Sequence, residues 1–482
     1  MTRPTAPSTY PPGIADSAPE PIDEAVLHAF AEAGVPCSVD PLDRAEHGRD
    51  WWPLSLASTN RGLVPHWPGV VVSPRSTAEV RDAVRVAARY GLAITAQGGR
   101  SGVLGGGVAP TGGVALDLTG LDRISSLDPV SGTITLEAGV FGPDLERAVN
   151  AAGFTVGHFP QSFDLATVGG WLACRGAGQY SNRYGKIEDI VRGLTVVLAS
   201  GDVVTLGGRG PRQAVGPDLV QLFVGSEGSF GIITEATLVM RPLPAFQRRR
   251  ALRVRDFDSG MDLCRTILQR DAHPAVLRLY DETESKRNFD VDGCVLIVLD
   301  EGEPLMVDAV MAVVADAARD SAPLEDDLVA KWLEHRNDVS ALTKLWAAGI
   351  VVDTIEVSGP WSVLGALRSS ALEALRSVES TLVASVHQSH AYVDGACLYF
   401  TFAGQPPGDP ANYYRAAWDA ATIAVLDSGG ALSHHHGVGR NRARFVPRAL
   451  GDGFDVLRAM KGALDPAGTM NPGVLGLGGE PW

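Results

Sequence analysis

The most unusual segment of this sequence is a run of three histidines, His434, His435 and His436, inside the chain. In an extended segment alternate side chains point to opposite sides, so His434 and His436 should share a face while His435 points away. Imidazoles exchange protons near pH 7, and one face would then carry two groups able to act as acid or base. The competing interpretation is that at least one of the three only hydrogen-bonds within the core.

Two further residues are candidates for chemistry. Tyr399 lies in an alternating strand pattern, and a free phenol has a pKa near 10, so it needs neighbouring positive charge to act as a base. The histidine run and Arg278 are the expected sources of that charge. Arg278 stands between apolar residues, where an always-charged guanidinium is suited to binding an anion. The alternatives are a core tyrosine bonded to a carbonyl and an arginine in an interdomain salt bridge.

A metal centre is the competing interpretation of the histidines. Together with His387 and His390, the run supplies enough imidazoles for zinc. The five cysteines are scattered and contain no C-x-x-C pair. We therefore expect free thiols, with neither a disulfide framework nor a cysteine-ligated zinc site.

Three segments rich in glycine and hydroxyl residues could hold a pyrophosphate. They are residues 98–102, which follow a predicted strand, residues 161–170, and residues 225–231. Glycine lets backbone N–H groups approach a negative ligand closely and permits positive φ. The first segment alone is a weak signal because it lacks the Rossmann G-x-G-x-x-G spacing. Three such loops in one region exceed what turn formation requires.

Alternating strands and helices are predicted to position these loops. Residues 70–72 and 92–95 read as strands, and the helix between them is expected to begin at a Thr77 cap. Residues 133–137 and 232–240 read as half-buried strands, and residues 194–206 as a hairpin. An N-terminal helix is expected over residues 22–33, after an unstructured arm.

Length and composition limit the function classes. A chain of 482 residues implies more than one domain, and a net charge of −15 argues against a nucleic-acid partner. No stretch approaches the roughly 18 apolar residues of a membrane helix, and the N-terminus lacks the apolar core of a secretory signal. We therefore expect a cytoplasmic protein without an integral membrane segment, and count a homodimer among its expected assemblies.

The order and the residue sequence of several motifs resemble those of FAD-binding domains of the vanillyl-alcohol-oxidase, or PCMH, type. The resemblance is closer to the alkylglycerone-phosphate (alkyldihydroxyacetonephosphate) synthases. The resemblance covers most of residues 68–471. It includes residues 166–171 (ATVGGW), 184–189 (YGKIED), 224–228 (VGSEG), 394–400 (DGACLYF) and 432–439 (LSHHHGVG).

The resemblance implies an α+β fold with FAD as cofactor. Its PCMH-type FAD-binding domain of two α/β subdomains is expected over residues 66–246, after an N-terminal arm and helix over residues 1–65. An inserted α+β cap, or substrate, domain is expected over residues 247–426, and residues 427–482 should return to the flavin site. The FAD contacts that the resemblance implies are Thr95, Ala96, Gln97, Gly98, Gly99, Arg100, Ser101, Gln161, Ser162, Phe163, Asp164, Leu165, Ala166, Thr167, Gly169, Gly170, Cys174, Arg175, Gly176, Ala177, Glu227, Gly228, Gly231, Ile232 and Ile233.

Departures from the family are equally informative. Relatives with covalent flavin carry a histidine where this chain has Arg100, so we predict non-covalent FAD. In the synthases an arginine of a cap helix binds the substrate phosphate, whereas Leu342 lies at or beside that place here. Lys344 is the nearby cation that could take its place, but a lysine cannot form a bidentate fork. The 2-hydroxy-acid dehydrogenases of the superfamily have a Glu-His-Gly motif that reads Ser433-His434 here, and we therefore predict no metal.

These observations predict an FAD-dependent oxidoreductase, an oxidase or dehydrogenase, that acts on a small and unphosphorylated organic substrate. Its expected catalytic residues are Tyr399, His434, His435, His436 and Arg278. Hydride is expected to pass to flavin N5. The electron acceptor, oxygen or a carrier, is left open. The alternatives are a redox-neutral transferase of the alkylglycerone-phosphate synthase type, which makes ether-lipid precursors, and a flavin-binding protein without catalysis.

Overall fold

The computed structural model describes residues 13–338 and 340–479; the side chains of Asn60 and of residues 340–343 lie outside that description. The predicted N-terminal arm also falls mainly outside it. The predicted first helix spans Glu24–Glu32 and is capped by Asp23. The helices Pro41–His47 and Pro53–Asn60 follow it. None of the helices in the described ranges is long and apolar enough to cross a membrane.

The first FAD-domain subdomain is built on a four-stranded sheet. Its strand order is Cys37–Ser38, Val70–Val72, Val114–Asp117 and Ile94–Gln97, and the last three are parallel. The helix Thr77–Arg89 connects the parallel strands, as predicted, but its cap differs from the prediction. Ser76 accepts the cap hydrogen bond from the N–H of Glu79, while the Thr77 hydroxyl lies 2.9 Å from that of Thr234. Thr77 therefore joins the two subdomains.

The second subdomain contains a five-stranded antiparallel sheet. Its order is Ile124–Asp128, Thr133–Glu137, Ile232–Val239, Val191–Val197 and Val203–Gly207. The predicted hairpin is present, and Gly201 takes a φ of 80° in its turn. Helices of this half are Gly142–Ala151, Val168–Cys174, Ser181–Tyr184, Ile187–Ile190 and Leu219–Phe223, and Phe154–Thr155 pairs with Arg241–Pro242.

The cap is a seven-stranded antiparallel sheet covered by helices. The strand order is Ala322–Leu324, Phe246–Val254, Cys294–Gly302, Val276–Tyr280, Thr381–Ala391, Gly395–Gly404 and Val351–Pro360. The strand Cys294–Gly302 is buried along nearly its whole length, so apolar side chains cover both faces of the sheet. The helices are Phe257–Gln269, Glu282–Phe289, Pro304–Ala317, Asp327–His335, Ser340–Ala347, Trp361–Ser377 and Pro410–Asp427.

The C-terminal segment returns to the first sheet, which confirms the predicted architecture. After the histidine run come a short turn at Ala443–Phe445 and the helices Val446–Leu450 and Gly453–Leu464. The N–H of Ile94 then donates to the carbonyl of Thr469 at 2.8 Å, beside the first glycine loop. The domain limits at residues 65, 246 and 426 remain predictions.

Candidate active site

The first glycine loop is held against the second. The strand Ile94–Gln97 ends directly before two glycines. A Cβ on Gly98 would lie 2.2 Å from Oγ1 of Thr167, and a Cβ on Gly99 would lie 1.7 Å from the carbonyl oxygen of Leu165. A side chain at either position would separate the loops. These glycines are therefore required by the contact between loops, besides any access they give to a ligand.

The other two FAD-assigned segments join this surface. Gly225 N–H donates to Leu172 at 2.8 Å, and Glu227 N–H donates to Ala173 at 2.9 Å. The third loop also returns to the first strand, because a Cβ on Gly228 would lie 3.8 Å from that of Ala96. The segments predicted to contact FAD thus form one continuous group.

Not every predicted contact residue offers its side chain to that group. Ile232 and Ile233 are buried in the two subdomain cores, which leaves only their backbone. Thr95 Oγ1 donates to Oδ1 of Asn471 at 3.1 Å. The Gln97 amide donates to the carbonyls of His47 and Gly107, at 2.8 and 2.6 Å. These two polar side chains make their hydrogen bonds to protein atoms and thereby support the loops.

Several polar groups around the loops are left without a protein partner, which fits a ligand rich in oxygen and nitrogen such as FAD. In the described part of the chain, the N–H groups of residues 99–102 donate to no backbone acceptor. The Ser229 hydroxyl and both ring nitrogens of His158 are buried without a hydrogen bond. A Cβ on Gly176 would lie 3.8 Å from His158 Nε2, so this ring borders a predicted FAD segment. Sequence reasoning missed His158, a lone histidine without a motif.

Arg100, at the place of the covalent histidine, is turned toward a helix of the N-terminal region. Its Nη2 lies 3.1 Å from Oε1 of Glu46 on the helix Pro41–His47, and both side chains are mostly buried. Arg100 takes a φ of 51°, which is unusual for a residue with a side chain. Its charge and its ion pair make it a structural residue of this loop.

Glu227 connects the third FAD loop to the histidine run. Its carboxylate accepts the backbone N–H groups of Val438 and Gly439, the latter at 2.9 Å. Its own carbonyl accepts from the Asn471 side chain at 2.7 Å. Burial raises the pKa of Glu227 to about 7 in spite of these donors. A residue predicted to contact FAD therefore also fixes the C-terminal loop that carries the histidines.

The histidine run curls around one buried carboxylate, that of Glu356. The two oxygens accept the backbone N–H groups of His434, His435 and His436, at 2.5, 3.2 and 2.9 Å. Arg442 Nη1 donates to the same carboxylate at 2.7 Å. Burial alone would raise the pKa of Glu356, but Arg442 and the neighbouring histidines hold it well below its usual range. An extended backbone cannot aim three successive N–H groups at one carboxylate, so the predicted alternation is wrong.

The three imidazoles instead lie in one cluster. His434 Nδ1 is 2.9 Å from Nδ1 of His435, and the rings of His435 and His436 are 4.6 Å apart. His435 does not point away, because its ring also lies 6.0 Å from that of Tyr399. Burial lowers the pKa of His434 and of His435 to about 3 and that of His436 to about 4. All three are therefore neutral near pH 7.

Tyr399 extends from the strand Gly395–Gly404 into this cluster. Its hydroxyl is 2.8 Å from Nε2 of His436, and its ring stacks on His387 at 4.9 Å. Burial raises the pKa of Tyr399, and Glu356 adds to the effect. The expectation that charged histidines would lower this pKa is wrong, because the histidines are neutral. Tyr399 is a protonated phenol bonded to an imidazole that can accept its proton.

Arg278 stands on the other side of His387. Its Nη2 is 2.9 Å from Nε2 of His387, and its Nε donates to the Tyr280 hydroxyl at 3.0 Å. Nδ1 of His387 lies 3.7 Å from a carboxylate oxygen of Glu284. Among the described residues, no carboxylate lies within ion-pair distance of Arg278 itself, which argues against the salt-bridge interpretation. The guanidinium is oriented by neutral groups and keeps its charge available.

Arg336 is a second arginine without a carboxylate partner among the described residues, and sequence reasoning missed it. Its guanidinium lies over the rings of Tyr180, Trp332 and Phe159, at 5.0, 5.6 and 5.8 Å. Nη1 is buried without a hydrogen-bond partner, and within the described residues no carboxylate forms an ion pair with it. Arg278 lies 5.4 Å from the same Trp332 ring. Two cations therefore flank one aromatic ring beside the histidine cluster.

The predicted substrate residues lie on the helix Ser340–Ala347. The side chain of Leu342 lies outside the described residues. Lys344 is exposed, and in the described part of the chain it makes no ion pair with the cluster residues. The structure therefore does not bring Lys344 together with the other candidates.

Four potential metal ligands lie close together in the cluster. Ligand atoms of Glu356, Cys397, His434 and His435 lie within 4.8 Å of one another. The Glu356 carboxylate, however, already accepts from Arg442 and from the histidine backbone, and a nearby guanidinium opposes a cation. These donors surround the Glu356 carboxylate and satisfy its negative charge, which suits the group less well to binding a metal ion. The absence of a metal remains a prediction.

Comparisons with known proteins agree with the loops and the cap. Residues 68–207 match the family described as FAD binding domain, and residues 243–475 match FAD linked oxidases, C-terminal domain. An uncharacterized FAD-linked oxidoreductase, YgcU, of Escherichia coli O157:H7 is 31% identical over 75% of this chain and 79% of its own.

Synthases are also similar to this chain. The alkyldihydroxyacetonephosphate synthase of Trypanosoma brucei brucei is 28% identical over 89% of this chain and 75% of its own. A solved structure of an alkyldihydroxyacetonephosphate synthase superposes with a TM-score of 0.79 at 25% identity, covering 95% of this chain and 88% of that one. Both matches span the FAD loops and the cap together. The chain therefore belongs to the FAD-linked oxidoreductases, with a PCMH-type FAD-binding fold and FAD as its cofactor.

Proposed function

We propose that this protein oxidises a small organic acid that carries a hydroxyl or amine group. The observation that supports this most directly is the contact of 2.8 Å between the Tyr399 hydroxyl and Nε2 of His436. FAD, when bound, supplies an acceptor for two electrons. The protein's own task is then to hold the substrate and to accept the proton that leaves with the electrons.

Tyr399 and His436 are suited to accepting that proton together. The phenol remains protonated near pH 7, and it can take a substrate proton only as it passes its own to His436. His436 is neutral, so its Nε2 is free to accept. Its Nδ1 lies 3.8 Å from Oε1 of Glu356, and this carboxylate would stabilise the imidazolium that forms. The pair therefore moves one proton without placing an unpaired charge on Tyr399.

Arg278 and Arg336 support an anionic group on the substrate. The chain carries a net charge of −15, yet these two guanidiniums lack a carboxylate partner among the described residues. Guanidinium groups bind carboxylates and phosphates through paired N–H donors. We favour a carboxylate, because the resemblance implies that Leu342 lies at or beside the place of the family's phosphate-binding arginine.

The test is anaerobic mixing of the FAD-loaded protein with a panel of small 2-hydroxy and 2-amino acids, the matching neutral alcohols, and acylglycerone phosphate. The proposal expects the flavin to bleach with some of the acids and to release the oxidised acid. Bleaching by neutral alcohols alone would contradict the role given to the two arginines. No bleaching by any acid or alcohol in the panel would contradict the oxidation itself.

The similarity to synthases supports a second candidate, a redox-neutral transferase. The sequence resemblance to that family includes the motifs that contain Tyr399 and the histidine run, and the chain covers three quarters of the Trypanosoma relative. In the same experiment this candidate expects acylglycerone phosphate to change the flavin spectrum without net oxidation. A fatty alcohol added next would restore the original spectrum and yield an ether product.

A further inference from the structure

A second hydrogen-bonded chain runs through the cluster, separate from the pair formed by Tyr399 and His436. The Tyr392 hydroxyl is 2.8 Å from Nε2 of His434, and Nδ1 of His434 is 2.9 Å from Nδ1 of His435. The Tyr399 pair ends at its own imidazole, because Nδ1 of His436 is buried without a hydrogen bond. Among the described residues the two chains therefore share no hydrogen bond.

The inner end of this second chain is open. Nε2 of His435 takes part in no hydrogen bond within the described residues, and its side chain remains 13% exposed. The ring borders both Tyr399 and His436. A substrate near the Tyr399 hydroxyl would therefore also meet the free nitrogen of His435.

The outer end lies at a partly exposed tyrosine. Tyr392 is followed by two exposed residues, Val393 and Asp394. The ammonium group of Lys186 lies 4.9 Å from the Tyr392 ring. Tyr392 thus connects the buried histidines to groups near the protein surface.

The contact between the two Nδ1 atoms restricts where protons can be. Two bare nitrogens would repel each other and two N–H groups would clash, so one proton lies between them. If His435 holds it, His434 carries its other proton on Nε2 and donates to Tyr392, while Nε2 of His435 is a bare base. If His434 holds it, every hydrogen bond is reversed and Nε2 of His435 carries a proton.

We propose that His435, His434 and Tyr392 form a proton wire that carries the substrate proton out of the site. This inference rests on the proposed oxidation. Once Tyr399 and His436 give up the proton that they accepted during oxidation, Nε2 of His435 takes it, and the same ring passes its Nδ1 proton to Nδ1 of His434. His434 then passes its Nε2 proton to the Tyr392 oxygen, and the phenol releases its proton to water. One proton enters, one leaves, and neither imidazole keeps a charge.

The first test needs no substrate. The FAD-loaded protein is labelled with ¹⁵N-histidine, and the signals of the two residues are assigned from His434→Gln and His435→Gln. The wire expects one Nδ1 of the protonated type paired with one of the bare type, or an averaged pair in exchange. Tyr392→Phe should shift the signals of both rings, whereas Tyr413→Phe, which removes a hydroxyl bonded to Thr381, should not. Two protonated Nδ1 atoms, or no response to Tyr392→Phe, would overturn the inference.

The second test measures rate. With an acid that bleaches the flavin, Tyr392→Phe should slow steady-state turnover about tenfold or more, a modest share of what positioned proton transfer contributes. It should also change the solvent deuterium isotope effect, while Tyr413→Phe leaves both unchanged. A Tyr392→Phe rate equal to that of Tyr413→Phe would refute the wire. If no acid bleaches the flavin, the proposed function fails and the NMR result alone decides whether the wire exists.

Discussion

Glu356 and Arg442 form a completely buried ion pair, with Nη1 of the arginine 2.7 Å from Oε1 of the glutamate. A second guanidinium nitrogen donates to the backbone carbonyl of Glu356, also at 2.7 Å. The glutamate comes from a cap strand and the arginine from the C-terminal segment, with the histidine backbone bound between them. The pair therefore determines the shape of the loop that carries the candidate catalytic residues.

Removing one partner of this pair should destabilise the protein strongly. Glu356→Ala leaves a buried guanidinium without its carboxylate partner and three backbone N–H groups without an acceptor, and we expect the free energy of unfolding to fall by about 3–5 kcal/mol. Asp427→Ala breaks the exposed pair with Arg448 and should change it by less than about 1 kcal/mol. Denaturant unfolding of both variants measures the difference. Equal effects would mean that the buried pair does not hold the loop.

Tyr399→Phe should lower turnover and leave FAD binding unchanged. Loss of the hydroxyl removes the group that passes a proton to His436, and we expect turnover to fall roughly 10²-fold or more. The ring and its stacking on His387 are kept, so the FAD content after purification should be unchanged. Tyr413→Phe serves as the control for loss of a buried hydroxyl elsewhere. A Tyr399→Phe enzyme with unaltered turnover would remove Tyr399 from the mechanism.

The buried histidines should make stability depend on pH below about 6.5. The pKa of His435 is about 3 in the folded protein, whereas an unfolded histidine titrates near 6.5. The unfolded state therefore binds a proton that the folded state does not, so the contribution of this residue to stability is greatest above pH 6.5 and declines as pH falls. For one such histidine the loss between pH 7 and pH 5 is about 2 kcal/mol.

Thermal unfolding measured across that pH range tests this expectation. His435→Gln should flatten the decline relative to the wild type, whereas substitution of the exposed His28 should leave it unchanged. A profile that His435→Gln leaves unchanged would indicate that this ring carries a charge in the folded state.

Denaturing the protein should release intact FAD. Arg100 occupies the place of the histidine that links flavin covalently in relatives, and its guanidinium pairs with Glu46. Acid precipitation should therefore leave yellow FAD in the supernatant and a colourless pellet. Colour that stays with the pellet would show a covalent link elsewhere in the chain.

The loops and the cap could be predicted because their signals are local. Glycines after a predicted strand imply close backbone packing, and the contacts of Gly98 and Gly99 with the second loop show that packing. The Thr77 cap was misassigned because Ser76 and Thr77 have equivalent capping chemistry. Only the contact of Thr77 with Thr234, 157 residues away in sequence, distinguishes them.

The candidate site was less predictable because its geometry is set by distant residues. Periodicity cannot show that Glu356 lies inside the histidine loop, since 78 positions separate it from His434. The Glu356 carboxylate binds the backbone N–H groups that a neighbouring strand would bind in an extended segment. The predicted alternation of the three histidine side chains was wrong for this reason. Arg336 and His158 were missed for a related cause. Each is a single residue whose role depends on buried nitrogen atoms that have no hydrogen-bond partner, Nη1 in Arg336 and both ring nitrogens in His158.

The last prediction concerns Arg336 and uses small anions as probes. Oxalate and inorganic phosphate are titrated into the FAD-loaded protein while the flavin spectrum is followed. A charge-assisted hydrogen bond contributes about 1.5–3 kcal/mol, so Arg336→Met should weaken oxalate binding roughly 10- to 100-fold. Arg270→Met, at an exposed arginine paired with Asp316, is the matched control and should leave binding unchanged. Oxalate affinity that survives Arg336→Met would place the anion elsewhere. Tighter binding of phosphate than of oxalate would favour the transferase, because a site lacking the family's arginine would then have formed a phosphate pocket from Arg278 and Arg336 instead.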